Sequence, residues 1–292
     1  MPAPTDVDLL ASCWTTAGSA RPLRGDDASP FPIRDRVEAA ARAGYRGFGI
    51  VHEDLVRALA ELGYAGLRAL LDDNGIEHLE LEMLNDWFAD GDRRVRSDRV
   101  RTDLLAAAEA LGARHIKVGG EVDGTTWPLE PLVEDFRRLC EQADGVGARI
   151  ALEPMPFGQI RDLRAAVDVI DRAGHAAGGV TLDIWHMTRA GVDLADIADL
   201  PGRDVVVVEL SDARAELVGT MIDDTLDRRL LCGEGDVDVV GFIRAVRSTG
   251  FTGPWGVEIL SEEHRRRSLR SQARLSYITT MWQFHLADDI RP

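Results

Sequence analysis

The chain has 292 residues, of which 45% are hydrophobic, and its formal net charge is −16. This negative charge argues against nucleic-acid binding, which needs a basic surface, and no run of eighteen apolar residues is present to span a membrane. The amino-terminal segment lacks the basic and apolar regions of a signal peptide. Three scattered cysteines, Cys13, Cys140 and Cys232, are typical of reduced thiols. The composition therefore predicts a cytoplasmic protein without a nucleic-acid or membrane partner.

Strand-like apolar runs alternate with helix-like stretches along the chain. Strands are predicted at residues 8–14, 46–51, 77–81, 113–118, 149–153, 179–183, 205–209 and 255–258. Helices are predicted after them at residues 33–43, 55–73, 95–111, 131–143, 160–173, 194–198, 237–248 and 265–284. Eight such units with right-handed crossovers predict a single (β/α)8 TIM barrel over residues 1–292. The alternative is a doubly wound sheet, but the Gly-x-Gly-x-x-Gly loop that normally follows its first strand is absent here.

The last four predicted strands each end on an acidic residue: Glu153, Asp183, Glu209 and Glu258. In a barrel the carboxyl ends of the strands meet at one rim, where catalytic residues are found. Carboxylates at such short distances repel each other unless a cation lies among them. An all-oxygen ligand set suits Mn²⁺ or Mg²⁺. The four acids therefore predict a site for one divalent metal ion, although such acids also cap the helices that follow strands.

Three basic side chains are candidates for the same cleft. His186 lies three residues after Asp183, where it can bind the metal or a substrate hydroxyl. Lys117, near the end of the fourth strand, is the only lysine of the chain, and arginine cannot replace its proton chemistry. Strand alternation decides whether Lys117 faces the barrel interior, where it can reach substrate oxygens, or the helices. His52, after the second strand, is a candidate substrate-binding residue.

Aromatic residues near strand ends are candidates for a substrate wall. Trp14, at the end of the first strand, and Trp185 are predicted to bind a ring or a sugar, together with Glu82 and Trp87 after the third strand. Trp14 and Trp87 are equally compatible with packing under loops.

The longest connection in the chain covers 26 residues, from Ser211 to Asp236, and includes a short helix predicted at 220–227. Long loops in compact domains are often functional. Arg229 in this loop is a candidate clamp for a substrate oxyanion or hydroxyl, although a surface arginine is the alternative.

Five short motifs together resemble the xylose-isomerase-like TIM-barrel superfamily of sugar isomerases and epimerases. They are Leu152-Glu153-Pro154, Leu182-Asp183-Ile184-Trp185-His186, Glu209-Leu210-Ser211-Asp212-Ala213, Arg229-Leu230-Leu231-Cys232-Gly233-Glu234-Gly235 and Gly256-Val257-Glu258. The superfamily includes keto-sugar 3-epimerases, hydroxypyruvate isomerases, inosose isomerases and dehydratases, and dehydroshikimate dehydratases. The likeness extends over nearly the whole chain and is strongest from Glu153 onward.

The resemblance implies that Glu153, Asp183 and Glu258 are metal ligands and that His186 contacts the substrate. Arg229 matches the arginine that often precedes the Gly-x-Gly turn. In the superfamily the third ligand is commonly histidine and sometimes glutamine, whereas this chain has Glu209. Either the metal site is more anionic here or Glu209 is not a ligand. Cys232 also stands where a proline is frequent.

The chemistry implied is removal of a proton next to a carbonyl, with the metal stabilising the enediolate. Glu153 and Glu258 would take and return the proton, which makes the protein an isomerase or epimerase of a keto-sugar or polyol. The alternative is a lyase or dehydratase acting on an inosose, a dehydroshikimate or a 3-oxo-glycoside, including C-glycoside cleavage, with His186 or Lys117 assisting departure of the leaving group. Glu209 and the turn after Arg229 favour this branch slightly.

A third reading is a non-catalytic sugar-binding subunit, against which the complete set of acids argues. A homo-oligomer and an accessory subunit both stay open.

Overall fold

The computed structural model describes residues 7–23 and 27–289. Eight parallel strands form a closed barrel in sequence order, and β8 pairs with β1 to complete it. The strands are β1 Leu9–Ala11, β2 Gly47–Val51, β3 His78–Leu84, β4 His115–Gly119, β5 Arg149–Glu153, β6 Gly178–Asp183, β7 Val205–Leu210 and β8 Trp255–Val257. The predicted (β/α)8 barrel is confirmed. Its extent over residues 1–292 stays a prediction.

Helices surround the barrel and connect successive strands. They are α1 Ile33–Ala43, α2 His52–Asp73, α3 Gly91–Leu111, α4 Leu129–Gly145, α5 Leu163–Ala173, α6 Ile184–Arg189, α7 Leu194–Ala198, α8 Met221–Asp227, α9 Val239–Ser248, α10 Glu262–Arg265 and α11 Leu269–Asp289. Two short 3₁₀ helices cover Cys13–Thr16 and Gly202–Asp204. Within residues 7–23 and 27–289, no helix combines the length and the apolar character needed to cross a membrane. The cytoplasmic location stays a prediction.

The main apolar core lies between the strands and the helices that cover them. The residues that α5 buries show why such helices form, because they are all apolar and recur at helical spacing: Leu163, Ala166, Val169, Ile170 and Ala173. Asp162 caps this helix by accepting a hydrogen bond from the Ala165 N–H. Gly174 ends it in the left-handed conformation at φ 64°.

The barrel interior is polar at the level of β3 and β4. Glu80 and Glu82 on β3, and His115 and Lys117 on β4, are all at most 2% exposed. Lys117 contacts Glu209 on β7, and because β4 and β7 are not neighbours in the sheet, this contact crosses the barrel interior. Alternation along β4 therefore directs Lys117 inward.

Two strand boundaries and one helix that was not predicted differ from the sequence analysis in ways that affect the site. The first strand ends at Ala11 rather than at residue 14, because the chain turns into the 3₁₀ helix at Cys13–Thr16, so Trp14 lies on that turn. β3 continues to Leu84 and therefore includes Glu82. Helix α6, which contains Trp185 and His186, begins directly after β6.

A buried ion pair holds the turn that carries Trp14. The Arg36 guanidinium, which is fully buried, pairs with Asp54 and donates to the Cys13 carbonyl at 2.7 Å and to Thr16 Oγ1 at 3.4 Å. Arg36→Met is expected to lower the free energy of unfolding by about 3–5 kcal/mol, because Asp54 keeps a buried charge without its partner. The matched control, Arg42→Met, removes an exposed pair with Glu38 on the same helix, for which we expect at most about 1 kcal/mol. Urea unfolding of both variants measures the difference, and equal values would contradict it.

Candidate active site

The four strand-end acids come together at the carboxyl end of the barrel. Glu153 and Asp183 end β5 and β6, Glu209 lies near the end of β7, and Glu258 follows β8. One carboxylate oxygen from each lies within 4.8 Å of the others. None of the four residues is more than 3% exposed. Such a cluster is costly without positive charge.

Two buried cations contact these acids. Lys117 Nζ lies 2.7 Å from Glu209 Oε1 and 3.3 Å from Glu258 Oε1. Arg229 Nη1 lies 2.5 Å from Asp183 Oδ2 and 3.1 Å from Glu258 Oε2.

A fifth carboxylate adds to the negative charge of the cluster, because Glu82 Oε2 lies 3.1 Å from Lys117 Nζ. Five buried carboxylates therefore face two cations, Lys117 and Arg229.

Burial and charge change the pKa values of these groups in different directions. Burial raises the pKa of Glu153 to about 8, and it also raises the pKa values of Glu209 and Glu258. Burial alone would raise the pKa of Asp183, but Arg229 and His186 lower it below its usual value. The pKa of Lys117 rises well above its ordinary range, because the carboxylates around the ammonium outweigh burial.

The donor atoms fit a divalent cation. Glu209 Oε2 is buried and has no hydrogen-bond partner within the described ranges 7–23 and 27–289. A second group of candidate ligand atoms combines Glu153 and Asp183 with His186. A divalent ion would offset the excess negative charge and could bind both the unpartnered carboxylate oxygen and the nearby imidazole.

Asp183 also caps the helix that follows it. Its Oδ1 accepts a hydrogen bond from the His186 N–H at 2.8 Å, while Oδ2 pairs with Arg229. The capping function considered for strand-end acids is therefore present at Asp183, together with its place among the clustered carboxylates.

A cleft of about 240 Å³ opens onto only two of the four acids. Glu153 and Glu258 line it, whereas Asp183 and Glu209 do not. Among the other predicted residues, the cleft is lined by Trp14, His52, His186 and Arg229. The carboxylates thus divide into a pair at the cleft and a pair behind it.

A family model described as xylose isomerase-like TIM barrel matches residues 37–278. The chain belongs to this family. This match confirms the resemblance inferred from the five motifs, and it covers most of the chain.

The relatives and solved structures include enzymes of two reaction types. A 3-dehydroshikimate dehydratase from Pseudomonas aeruginosa is 31% identical over 254 residues, which are 82% of this chain and 38% of the relative. The chain thus spans well under half of that protein. An inosose isomerase from Bacillus velezensis is 22% identical over 50% of this chain and 52% of its own. The crystal structure of the IOLI protein with a binding zinc atom covers 97% of this chain and 100% of its own at a TM-score of 0.80 and 17% identity, which shows the shared fold.

Besides Asp183 and Glu209, four predicted residues of this xylose isomerase-like barrel lie outside the cleft: Trp185, Lys117, Trp87 and Glu82. Trp185 is 1% exposed, donates through Nε1 to Asp224 Oδ2 at 3.0 Å, and packs under the Arg229 guanidinium. Lys117 is inward-facing, as one alternative predicted, but it lies behind the carboxylates and does not border the cleft. Trp87 is likewise buried, and its Nε1 donates to the Gly119 carbonyl at 2.7 Å.

Several cleft residues of this family member were not identified from the sequence. Met83 and Asn85 follow Glu82, and Met155 and Phe157 follow Glu153. Met83 lies within β3, whereas Asn85, Met155 and Phe157 lie just beyond β3 or β5. For these three the position was the available signal, because loops after barrel strands line the active face. Arg96 comes from α3, and nothing in the spacing of that helix indicated it.

The metal-free protein is expected to lose stability as the pH rises from about 6.5 to about 8. The pKa of Glu153 rises on folding from its ordinary value to about 8, so its contribution is complete at low pH and is lost as the pH rises through that value. The pKa values of His115 and His186 fall to about 3, so their contribution changes only below about 6.5. Thermal unfolding with a chelator measures the trend, and Glu153→Gln is expected to make it less steep, while Glu209 and Glu258, whose pKa values are also raised, still contribute to it. A stability that increases over this range would contradict the assignment.

Proposed function

We propose that this barrel is a divalent-metal-dependent dehydratase acting on a small cyclic polyhydroxylated ketone. It removes a proton next to the carbonyl and expels a hydroxyl group from the neighbouring carbon. The similarity to a 3-dehydroshikimate dehydratase over 82% of the chain supports this reaction type. The activity belongs to a relative that is much longer than this chain, so the substrate is part of the proposal.

One observation carries the proposal: Glu153 and Glu258 are the two clustered acids that line the cleft. Two acid–base groups that reach the substrate suit this reaction, because one can take a proton from carbon while the other protonates the leaving hydroxyl. Asp183 and Glu209 lie behind this pair and supply charge and ligand oxygens.

The surroundings of the two acids favour different protonation states. Glu258 lies 3.3 Å from Lys117 and 3.1 Å from Arg229, and both cations favour the carboxylate form. Among the described residues, no cation lies within ion-pair distance of Glu153, apart from the contact at 3.5 Å with His186, which is neutral near pH 7. We therefore assign Glu258 as the base that accepts the carbon-bound proton. Glu153, which lacks such a cation among the described residues, donates a proton to the departing hydroxyl, which leaves as water.

The metal would be held by one carboxylate oxygen each of Glu153, Asp183, Glu209 and Glu258, with Mn²⁺ or Mg²⁺ as the preferred ion. The second oxygens of Glu153 and Glu258 would then serve for proton transfer. When bound, such an ion polarises the substrate carbonyl as a Lewis acid.

The remaining cleft residues orient the substrate. His186 and Arg229 border the cleft beside Glu153 and Glu258 and are placed to bind substrate oxygens, while Trp14 and His52 lie farther along its wall. We assign assistance to the leaving group to His186 rather than Lys117, because Lys117 does not border the cleft. Trp185 supports Arg229 from beneath.

Isomerisation or epimerisation is the second candidate, and the similarity to an inosose isomerase favours it. In that reaction Glu258 accepts the proton as before, and a proton returns to carbon instead of to a leaving hydroxyl. A non-catalytic sugar-binding subunit is the remaining reading, and an accessory or homo-oligomeric assembly is compatible with each of the three.

The test is a substrate panel in deuterated buffer with the purified chain and Mn²⁺, Mg²⁺ or Zn²⁺. The panel contains 3-dehydroshikimate, inososes, 3-oxo-glycosides and keto-sugars. Dehydration produces a conjugated or aromatic product with new ultraviolet absorption, whereas isomerisation or epimerisation incorporates deuterium without loss of water.

Water loss from a cyclic ketone supports the proposal, and exchange without water loss supports the second candidate. The absence of both reactions with every ion and substrate of the panel would contradict an enzymatic role of this kind. Metal analysis of the same preparation shows whether the chain holds a divalent ion.

A further inference from the structure

The only lysine of the chain lies behind the proposed metal site, in contact with the acid that departs from the family pattern. Lys117 is fully buried on β4. Its Nζ is closer to Glu209 than to either of its other carboxylate partners, Glu82 and Glu258. The resemblance to the xylose-isomerase-like superfamily implies a neutral histidine or glutamine at the position of Glu209. The unusual acid and the unusual buried cation are therefore partners.

We propose that Lys117 is a positioning residue that makes Glu209 usable as a metal ligand, by offsetting its charge and fixing its orientation. This inference rests on the proposed metal site. It assigns Lys117 no contact with the substrate.

The hydrogen bonds of Glu209 are unevenly distributed over its two oxygens. Oε1 accepts from Lys117 Nζ at 2.7 Å and from Ser12 Oγ at 2.7 Å. Oε2 is buried and has no partner among the residues that the structure describes. Two donors on one oxygen fix the carboxylate plane. The other oxygen receives no hydrogen bond and is left to bind a metal ion.

The neighbouring strand leaves room for this arrangement. Gly256 on β8 pairs in register with Glu209. A Cβ atom at Gly256 would lie 3.0 Å from Glu209 Cγ and 3.2 Å from Ser12 Oγ. Glycine at this position lets the carboxylate and the hydroxyl come together against the backbone of β8.

Charge balance explains why the two residues belong together. An acid in place of a neutral ligand adds one negative charge to a buried site, and an ammonium at hydrogen-bond distance offsets it. Removing one partner leaves the other charge uncompensated, whereas removing both restores the balance. The combination of a neutral residue 117 and glutamine at 209 would reproduce the charge of sites whose third ligand is neutral.

The experiment is a double-mutant cycle on the full chain with Lys117→Met, Glu209→Gln and the double variant. Calorimetric titration of metal-free protein measures the Kd for Mn²⁺. We expect Lys117→Met to weaken Mn²⁺ binding in the wild-type background, because Glu209 loses the donor that orients it. In the Glu209→Gln background, the same substitution is expected to strengthen binding by at least about tenfold, since an ammonium that repels the ion is removed.

Opposite signs in the two backgrounds support the inference. A purely repulsive lysine would strengthen binding on removal in both backgrounds, and a lysine that only packs would weaken it in both. Either result would overturn the positioning role.

Thermal unfolding of the metal-free variants gives a second readout, which does not depend on metal binding. Lys117→Met is expected to lower Tm by less than half as much in Glu209→Gln as in wild type. Arg94→Met is the control for loss of a partly buried cation, and it should lower Tm equally in both backgrounds because its partners Asp98 and Asp135 lie on the outer helices α3 and α4. If wild-type protein binds no Mn²⁺, the proposed function fails. The thermal unfolding measurements then decide by themselves whether Lys117 and Glu209 act as a pair. Equal losses in both backgrounds would overturn the pairing.

Discussion

Glu258→Gln and Glu153→Gln are each expected to lower kcat by about 10²- to 10⁴-fold, the usual contribution of a general acid or base. Both side chains line the cleft, and glutamine keeps their size while removing the proton-transfer group. Because we propose that His186 and Arg229 bind the substrate, we expect KM to change much less than kcat.

The measurement compares initial rates with the substrate that the panel identifies, together with Tm and metal content of each variant. Glu53→Gln is the matched control, since Glu53 lines the same cleft but is exposed and lies outside the clustered acids. It is expected to cause no comparable loss. A Glu258→Gln or Glu153→Gln variant that keeps near wild-type kcat would remove that residue from proton transfer.

The position of the four acids follows from the sequence because it depends only on where strands end. Parallel strands in a barrel deliver their last residues to one rim, so a carboxylate after each of four successive apolar runs leads to one cluster. The structure brings Glu153, Asp183, Glu209 and Glu258 within 4.8 Å of one another. The alternating order of strands and helices was likewise sufficient to predict the barrel fold.

The contacts of individual side chains did not follow from the sequence. Whether Lys117 faces inward depends on the phase of β4, and a shift of one residue reverses it. Its partners lie on β3, β7 and beyond β8, as far as 141 residues away in sequence, so spacing along the chain says nothing about them. Trp185 illustrates the same limit, because helix α6 turns it under Arg229 rather than into the cleft.

Asp183→Asn is expected to separate the metal site from the helix cap that shares the same residue. Asparagine is as good an N-cap as aspartate, so the hydrogen bond from His186 N to Oδ1 is preserved while the negative charge is lost. We expect the variant to fold, to bind Mn²⁺ much more weakly than wild type, and to lose most of its kcat. The effect on turnover should match that of removing the metal from wild-type protein with a chelator.

Stability gives an independent measurement of the same loss. An ion present at about 100 times its Kd stabilises the folded state by about 2.7 kcal/mol, so wild-type protein should gain this stability when Mn²⁺ replaces the chelator. Asp183→Asn should gain far less. Asp162→Asn is the matched control, because Asp162 caps α5 through Ala165 N and is not among the clustered acids; it should keep the full gain. If Asp183→Asn keeps both the metal-dependent stability and kcat, Asp183 is a helix cap and a partner of Arg229 but not a metal ligand. The ligands of the divalent metal ion would then have to be the other clustered acids.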